Sequence, residues 1–144
     1  MPASARFAVA VHALTLLEQQ QGVACTSTAI ARSVNTNPVV VRRVLGPLGR
    51  AGIVISEPGA KGGVRLARPG SRITLGDVYR AIEAPDPIGG HAGKPNPRCP
   101  IGCGMVKALD RQLRRARSAI ERELDETTIA DLLRSVTRQA ARSA

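Results

Sequence analysis

The apolar residues of this 144-residue chain change their spacing at Gly52, and this change limits the folds that the chain can adopt. Before Gly52, apolar residues recur every three or four positions, which is the spacing of one face of an α-helix. Directly after it come Ile53, Val54 and Ile55, a short β-branched run that is typical of a strand. The sequence therefore predicts helices up to this glycine and a small sheet immediately after it.

Three helices are predicted before this change. The first ends at Gly22, and the second starts at Thr26 or Ser27. The third has Asn37 as its N-cap and Pro38 as its first residue, because asparagine caps helices well and proline lacks an amide hydrogen that would be left unpaired there. The side chains predicted to face the core are Phe7, Val11, Leu14 and Leu17, then Ala29, Ile30 and Val34, then Val41, Val44 or Leu45, and Leu48.

A second strand-like run, residues 64–66, follows the first after a short connection. The connection, residues 57–63, contains one proline and three glycines and carries Lys61, so it predicts the tip of a β-hairpin. Three helices followed by a basic hairpin are the layout of a winged helix-turn-helix. We therefore predict a mainly α fold with a small β-hairpin wing, and we assign residues 1–84 to a winged helix-turn-helix DNA-binding domain.

The rest of the chain is predicted to be helical on both sides of an irregular segment. Thr74 caps a helix, and residues 85–104, rich in proline and glycine, are predicted to form a loop. A long charged helix then runs from about residue 102 to residue 126, and Thr128 starts a last helix, whose end beyond Arg138 we expect to fray. The apolar face of the helix capped by Thr74 is Leu75, Val78, Tyr79 and Ile82.

One face of the long helix carries a narrow apolar stripe. Its members follow each other at spacings of 3, 4, 3, 4 and 4 residues, like the seam of a coiled coil. An exposed stripe of this kind is buried when two copies of a chain pair. The stripe therefore predicts that a second apolar surface covers this face of the long helix. Its members are Val106, Leu109, Leu113, Ala116, Ile120 and Leu124.

The charge of the chain predicts a polyanionic partner. Its formal net charge is +10, and 18 of its 21 basic residues are arginine, the side chain suited to phosphates and guanine edges. Residues 1–80 hold 10 basic and 3 acidic side chains, a net +7, so the partner is expected at the N-terminal part. Phe7 and Tyr79 are the only aromatic residues, too few for single-strand binding by base stacking. Double-stranded DNA is therefore the predicted partner.

The third helix and the hairpin supply the candidate contacts to DNA. The second helix of a helix-turn-helix places its first turns in the major groove, where Arg42 or Arg43 can reach a guanine. Asn37 is also a candidate unless it is used for capping, and for each arginine the alternative is a solvated helix face. At the hairpin tip, glycines let the backbone approach the duplex while Lys61 and Arg65 reach phosphate or the minor groove; the alternative is an ordinary β-turn. The predicted contacts are Thr36, Asn37, Val39, Arg42, Arg43, Lys61, Gly62, Gly63 and Arg65.

Enzymes and membrane proteins are disfavoured classes. The chain has two histidines, and it offers no combination of nucleophile, base and carboxylate that assembles into a catalytic set. The apolar run 7–17 is far shorter than the ~20 residues of a membrane span and lacks the features of a secretory signal. Three cysteines, an odd number, fit a disulfide framework poorly. We therefore predict a cytoplasmic protein without enzymatic activity or a membrane partner.

Several segments together carry a resemblance to a known family. They are TAIA at 28–31, Pro38, LGRAGIV at 48–54, KGGVRL at 61–66 and ITLGDVYRAIE at 73–83. With these segments the sequence resembles the Rrf2 family of bacterial transcription regulators over nearly its whole length. The resemblance implies a homodimer that binds a partly palindromic operator, with residues 105–144 as a dimerisation helix and a terminal helix. The dimer interface that it implies is the apolar stripe of the long helix, namely Val106, Leu109, Leu113, Ala116, Ile120 and Leu124.

The resemblance also implies a sensor in the predicted loop before the long helix. Several family members hold an iron-sulfur cluster there through three cysteines, whereas this chain has only Cys99 and Cys103 in that loop, with Cys25 between the first two helices. The letters NPRCPIG around Cys99 are similar to the branch of the family that lacks a cluster. We predict no resident cofactor, with an iron-sulfur cluster of atypical spacing, or a metal bound through His91 or His12, as the alternative.

Thiol chemistry is the favoured sensing mechanism. Cys99 lies beside Arg98 and Lys94 near a helix N-terminus, a positive setting that favours the reactive thiolate. Cys103, or Cys25 of the partner subunit, can then resolve a sulfenic acid as a disulfide. The alternative is that the two loop cysteines are small apolar fillers. The predicted function is a homodimeric repressor whose operator affinity responds to thiol modification; the alternatives are a regulator holding a cluster or metal, and an architectural DNA-binding protein that senses nothing.

Overall fold

Helices and one β-hairpin make up the part of the chain that the structure describes. The computed structural model describes residues 3–82 and 88–143. The elements are α1 (Ala3–Gln19), α2 (Ser27–Val34), α3 (Pro38–Arg50), β1 (Val54–Glu57), β2 (Gly63–Leu66), a 3-10 turn (Gly70–Arg72), α4 (Leu75–Ala81), α5 (Pro100–Asp125) and α6 (Ile129–Ser143). The predicted mainly α fold with a hairpin wing is confirmed. Within these ranges, no helix is long and apolar enough to cross a membrane.

Side-chain caps start α2 and α3 where the sequence predicts. Thr26 Oγ1 and Asn37 Oδ1 each accept a hydrogen bond of 3.1 Å from the backbone amide three residues further on. Pro38 is the first residue of α3, as predicted. Between the two helices the chain turns at Asn35, whose φ of 61° lies in the left-handed region that asparagine tolerates. The turn between the two helices is therefore encoded locally.

The first helix lies at the centre of the fold. It contacts α2, α3, α4 and α6, so it buries more of its surface than the single predicted face. Val9, Ala10 and Ala13 are buried in addition to the predicted Leu14 and Leu17. Helices that pack on several sides of α1 need small residues for close approach, and the alanines provide them.

The predicted core face of α2 is wrong at one position. Ala29 is exposed, whereas Ala31 is buried together with Ile30. Ile30, Ala31 and Val34 share one side of the helix, and Ala29 lies about 100° away from Ile30 on the solvent side. The prediction for α3 is confirmed. Its buried side chains are Val41, Val44, Leu45 and Leu48.

The hairpin is joined to the turn between α1 and α2. The strands β1 and β2 are antiparallel, with Ser56 opposite Val64. Val64 also exchanges two backbone hydrogen bonds with Cys25, with N–O distances of 2.9 and 2.8 Å. The wing is therefore held by main-chain hydrogen bonds on both sides of β2, and its position relative to the helices is fixed.

The long helix starts earlier than predicted. Cys99 is the N-cap of α5 and Pro100 its first residue, so the predicted loop ends at Cys99 and Cys103 lies within the helix. Proline suits a first helical position because its φ is already helical and it has no amide hydrogen to pair. The first residues of the predicted loop lie outside the described residues. At the other end, α6 continues to Ser143 and does not end near Arg138 as expected.

The start of α4 is joined to the turn between α5 and α6. Thr74 and Asp77 cap α4 reciprocally, since the side chain of each accepts the backbone N–H of the other at 3.0 Å. The Thr74 hydroxyl also donates to Asp125 at 3.1 Å. Two backbone hydrogen bonds of 2.9 Å run between residues 73–75 and 127–129. The sequence predicts the cap at Thr74 but not its link to the C-terminal helices.

Arg80 completes this junction. It donates hydrogen bonds to Asp125 at 2.7 Å, to Asp77 at 3.2 Å and to Glu121 at 3.5 Å. The hydrogen bond from Arg80 lowers the pKa of Asp125 below its ordinary value. Burial alone would raise the pKa of Asp77, but hydrogen bonds from the Thr74 backbone and from Arg80 outweigh it, so this pKa is lowered too. Both carboxylates are therefore stabilised in their ionised form by folding.

The substitution Asp125→Asn is expected to reduce the stability of the fold in a pH-dependent way. Because the folded pKa of Asp125 lies below the unfolded value of about 3.9, its contribution is present above that value and is lost as the pH falls through the folded pKa. The variant should unfold at lower urea concentration than the wild type at neutral pH, and the difference should shrink toward about pH 2.5. Circular dichroism of urea unfolding at both pH values measures this.

The matched control for this prediction is Glu126→Gln. Glu126 is adjacent in sequence and exposed, and it makes no ion pair within the described ranges. Its replacement should leave the unfolding midpoint close to that of the wild type at both pH values. A difference between wild type and Asp125→Asn that stayed constant with pH would contradict the electrostatic role of Asp125.

Candidate nucleic-acid interface

The outer face of α3 presents the predicted reading side chains to solvent. Val39 is 49% exposed, and Arg42 and Arg43 are exposed beside it. These positions lie at spacings of three and four residues, opposite the four side chains that α3 buries. The structure therefore brings Val39, Arg42 and Arg43 together on the first turns of α3, as the sequence predicts.

The two polar residues before α3 serve the turn itself. The side-chain oxygen of Asn37 caps α3 by accepting the Val40 amide at 3.1 Å. Its amide nitrogen alone is left as a donor for a ligand. The backbone N–H of Thr36 donates to the Ala31 carbonyl at 2.9 Å, and Thr36 is half-buried. Of the two roles that the sequence left open for Asn37, capping is the one that the geometry shows.

The wing carries one basic residue at its tip and one along its strand, and they differ in their surroundings. Lys61 is exposed and makes no ion pair with any residue that the structure describes. Arg65 instead forms an ion pair with Glu57 across the hairpin, and its Nη1 donates to the Leu66 carbonyl at 3.2 Å. Its guanidinium is thus engaged within the wing, so Lys61 is the freer of the two predicted phosphate contacts.

The two predicted glycine contacts have a reason inside the protein. A Cβ atom on Gly62 would overlap the carbonyl oxygen of Glu57, and one on Gly63 would overlap the carbonyl of Cys25. Both clashes involve backbone atoms that cannot turn away. The glycines are therefore required by the fold of the wing, whatever their distance from DNA.

Two exposed residues of α2 are not singled out by the sequence pattern. Thr28 and Arg32 lie one turn apart on the solvent side of α2, opposite Ile30. A hydroxyl in the first turn of this helix and a guanidinium in its last turn are the group types that contact backbone phosphates. Their spacing of four residues on a short helix was the available signal, but it is common on solvated helices.

The cysteines fall into two environments. Cys99 is half-buried at the N-cap of α5, and the backbone N–H of Cys103, one turn later and exposed, donates to its carbonyl at 2.9 Å. Cys25 is bound through its backbone to the wing, and burial raises the pKa of its thiol. Cys99 and Cys103 are thus brought together at one helix start, whereas Cys25 belongs to the winged helix.

The apolar stripe of α5 is covered in part by the same chain. Leu113 is only 7% exposed, whereas Val106 is 46% and Leu109 36% exposed. The expectation of a stripe that is open along its whole length is therefore wrong at Leu113. The remaining members are half-buried. They are Ala116, Ile120 and Leu124.

A second open apolar surface lies between α1 and α6. A groove of about 620 Å³ runs between the two helices. Its apolar walls are Phe7, Val11, Leu16, Leu132, Leu133 and Val136. At one edge, His12 Nε2 and Ser33 Oγ are 3.0 Å apart, which connects α1 to the helix-turn-helix.

Comparison with known proteins decides the family. A model of the Rrf2 family, described as iron-dependent transcriptional regulators, matches residues 3–135. The chain belongs to the Rrf2 family. It is 37% identical over 130 residues to a protein of Bacillus subtilis (strain 168) named as the HTH-type transcriptional regulator YwnA, covering 90% of this chain and 96% of YwnA.

Solved structures agree with this assignment. A crystal structure described as that of a DNA binding protein is 36% identical, with a TM-score of 0.71, and covers 89% of this chain and 98% of that chain. The oxidized form of Staphylococcus aureus CymR is 27% identical, with a TM-score of 0.66, and covers 92% of this chain and 96% of CymR. This Rrf2 protein is therefore a DNA-binding transcriptional regulator and not an enzyme, as the sequence predicts.

The iron in the family description does not fit the residues present. Within residues 3–82 and 88–143, no three His, Cys, Asp or Glu side chains are grouped so that they could hold a metal ion. Cys99 and Cys103 supply only two thiols at the start of α5, and Cys25 is placed against the wing. A conventional iron-sulfur cluster is held by four protein ligands, usually cysteine thiolates. The chemistry of this site is therefore that of a pair of thiols.

Proposed function

We propose that this Rrf2 protein is a homodimeric repressor in the cytoplasm. It binds an operator through α3 and its wing, and it responds to oxidation of the thiol pair, Cys99 and Cys103, at the start of α5. The observation that carries the DNA-binding part is the exposed face of α3. There, Val39, Arg42 and Arg43 project away from the core beside a wing that carries Lys61.

Each contact has an assigned chemistry. Arg42 and Arg43 make bidentate hydrogen bonds to guanine O6 and N7, and Val39 packs on a thymine methyl group. Lys61 neutralises a phosphate next to the wing. Thr36, Asn37 and the two wing glycines position these groups, and Arg65 holds the wing through Glu57.

Substitutions in α3 are expected to weaken sequence-specific binding, whereas a substitution in the wing is expected to weaken binding to every duplex. Arg42→Ala or Arg43→Ala should weaken binding to an operator selected from random duplexes by roughly 5- to 150-fold, because each removes about 1–3 kcal/mol of base recognition. Lys61→Ala should instead weaken binding to all duplexes alike. It should also make the slope of log Kobs against log salt less steep by about 0.9. Fluorescence anisotropy at several salt concentrations measures both, with Lys94→Ala, an exposed lysine outside the DNA-binding domain, as the control. Equal losses on operator and random DNA for the arginine variants would contradict base reading.

The homodimer is supported by the open part of the α5 stripe. Val106 and Leu109 are exposed on a helix whose other stripe residues pack inward, and the α1–α6 groove is a further apolar surface without a cover in one chain. Two-fold pairing through self-complementary surfaces of this kind also matches a partly palindromic operator. We propose residues 105–144 as the dimerisation region and residues 1–84 as the DNA-binding domain.

The double variant Val106→Glu/Leu109→Glu should be monomeric and should lose operator binding. Burying unpaired carboxylates in the interface carries a desolvation cost, which is large enough to prevent the two subunits from pairing there. Multi-angle light scattering gives the mass, and Ala108→Glu, an exposed position facing away from the stripe, should stay dimeric. A double variant that remained dimeric would show that the interface lies elsewhere.

The sensing step is a two-electron oxidation of two thiols. The Cys99 thiolate attacks one oxygen of hydrogen peroxide and the O–O bond breaks. Cys99 becomes a sulfenic acid, and the other oxygen takes a proton from solvent and leaves as water. The Cys103 thiol then attacks this sulfur, forming the disulfide and releasing water. Cys103 is the proposed resolving residue because it lies one helical turn from Cys99, whereas burial raises the pKa of the Cys25 thiol. The crystal structure of an oxidized CymR supports oxidation as a chemistry of this fold.

Substitutions of the cysteines test this step. Cys99→Ser and Cys103→Ser should each abolish the change in operator affinity caused by hydrogen peroxide, and each should abolish the loss of two hydrogen masses that a disulfide produces. Cys25→Ser should keep both. Intact-mass measurement and anisotropy on the same samples provide the readouts. A peroxide response that survived in Cys99→Ser would contradict the mechanism.

A further inference from the structure

One face of α5 carries a row of basic residues that the proposed function does not use. Lys107, Arg111, Arg115 and Arg122, here called the basic row, follow at spacings of 4, 4 and 7 residues. At 3.6 residues per turn these spacings place all of them on one side of the helix, opposite the apolar stripe, over about 22 Å. All are exposed.

Within the described residues, the acidic side chains of α5 form their ion pairs away from the basic row. The carboxylates of α5 that form ion pairs turn to other partners: Asp110 to Arg114, and Glu121 and Asp125 to Arg80 of α4. No ion pair involving the basic row occurs in the part of the chain that the structure describes.

This arrangement is unfavourable for an isolated helix. The pairs Lys107 with Arg111, and Arg111 with Arg115, place like charges four residues apart, which destabilises a helix. No ion pair within the described residues relieves the repulsion along this face. An anion bound along the row relieves the repulsion, so the pattern is suited to a ligand that carries several negative charges.

The space beside the row fits an extended ligand. A shallow groove of about 670 Å³ lies on α5, and Ser118 and Ala119 form its floor between Arg115 and Arg122. These small side chains allow a chain of phosphates to approach the helix closely while the guanidinium groups flank it. Arginine is the side chain best matched to phosphate, because its fork of N–H groups binds two oxygens at once.

The composition of this face favours nucleic acid over protein. Apart from its arginines, the groove is lined within the described residues by Gln112, Ala116, Ser118 and Ala119, none of which is a large apolar side chain. Protein interfaces have a buried core of apolar anchors and few charges, whereas DNA-binding surfaces are polar and strongly positive.

We propose that the outer face of α5 is a second binding surface for the phosphate backbone of duplex DNA. The surface recognises no sequence, because it offers only charge and hydrogen-bond donors and no element that enters a groove. It lies on a helix that packs against α4, whereas the reading residues lie on α3. It does not depend on the operator contacts proposed above.

The test uses the full-length chain with the operator contacts removed. In the background Arg42→Gln/Arg43→Gln/Lys61→Gln, binding to a random 60-base-pair duplex should persist at low salt. A second variant adds Arg111→Gln/Arg115→Gln/Arg122→Gln, which should weaken that binding at least tenfold. The slope of log Kobs against log salt should become less steep by about 2.7, since each lost phosphate contact reduces its magnitude by about 0.9. Anisotropy across a salt series provides the slope.

A charge-matched control separates the site from net charge. The variant Arg134→Gln/Arg138→Gln/Arg142→Gln removes the same charge from exposed positions of α6, none of which lines the groove on α5. It should change the slope by less than one unit. The basic-row variant should melt no lower than its parent, because it loses like-charge repulsion, and a photo-crosslinker placed at Ser118 of the wild type should react with the duplex.

Three outcomes would overturn the proposal. They are an equal loss of binding in the charge-matched control, no duplex binding in the background variant, and competition by poly-L-glutamate that equals or exceeds that of the duplex per charge. The last would assign the row to an acidic protein. Failure of the operator contacts alone would leave the result unaffected, because they are absent from the background variant.

Discussion

The junction at Thr74 is the interaction on which the arrangement of this regulator depends. Thr74 caps α4 with Asp77 and donates to Asp125, so one side chain starts α4 and holds the end of α5. Arg80 neutralises the carboxylates gathered there, which prevents their repulsion from opening the contact. Because α4 packs on α1 and α5 packs on α4, the orientation of the long helix is set by the same core that positions α3.

The wing is fixed by a different kind of interaction. Val64 forms two main-chain hydrogen bonds with Cys25, so the turn between α1 and α2 pairs with β2 through a single β-bridge. Gly63 is required at this contact because a side chain would meet the Cys25 carbonyl. A hairpin of two short strands is marginal by itself, so this extra pairing explains how Lys61 can be held at a defined place beside α3.

Three separate surfaces meet on α5, and each follows from a different part of its sequence. The thiol pair lies at its start, the apolar stripe faces the proposed partner subunit, and the basic row lies on the side opposite the stripe. A rigid helix transmits a change at one surface to the others only by moving as a whole, and its far end is held at Thr74. The disulfide proposed between Cys99 and Cys103 would constrain the open end, where Val106 and Leu109 are exposed.

The sequence by itself determined the elements whose signals are local. The caps at Thr26, Asn37 and Thr74, the change of period at Gly52 and the exposed arginines of α3 are all specified by neighbours within a few residues. Only the tertiary structure decided the pairing of Arg80 with Asp125, 45 residues apart, and the burial of Leu113. It also decided the ion pair between Arg65 and Glu57. The sequence offers several carboxylates to each arginine, and the folded backbone determines which of them comes within reach. Local pattern thus fixes which face a residue occupies, whereas long-range packing decides whether that face is covered, paired or left for a ligand.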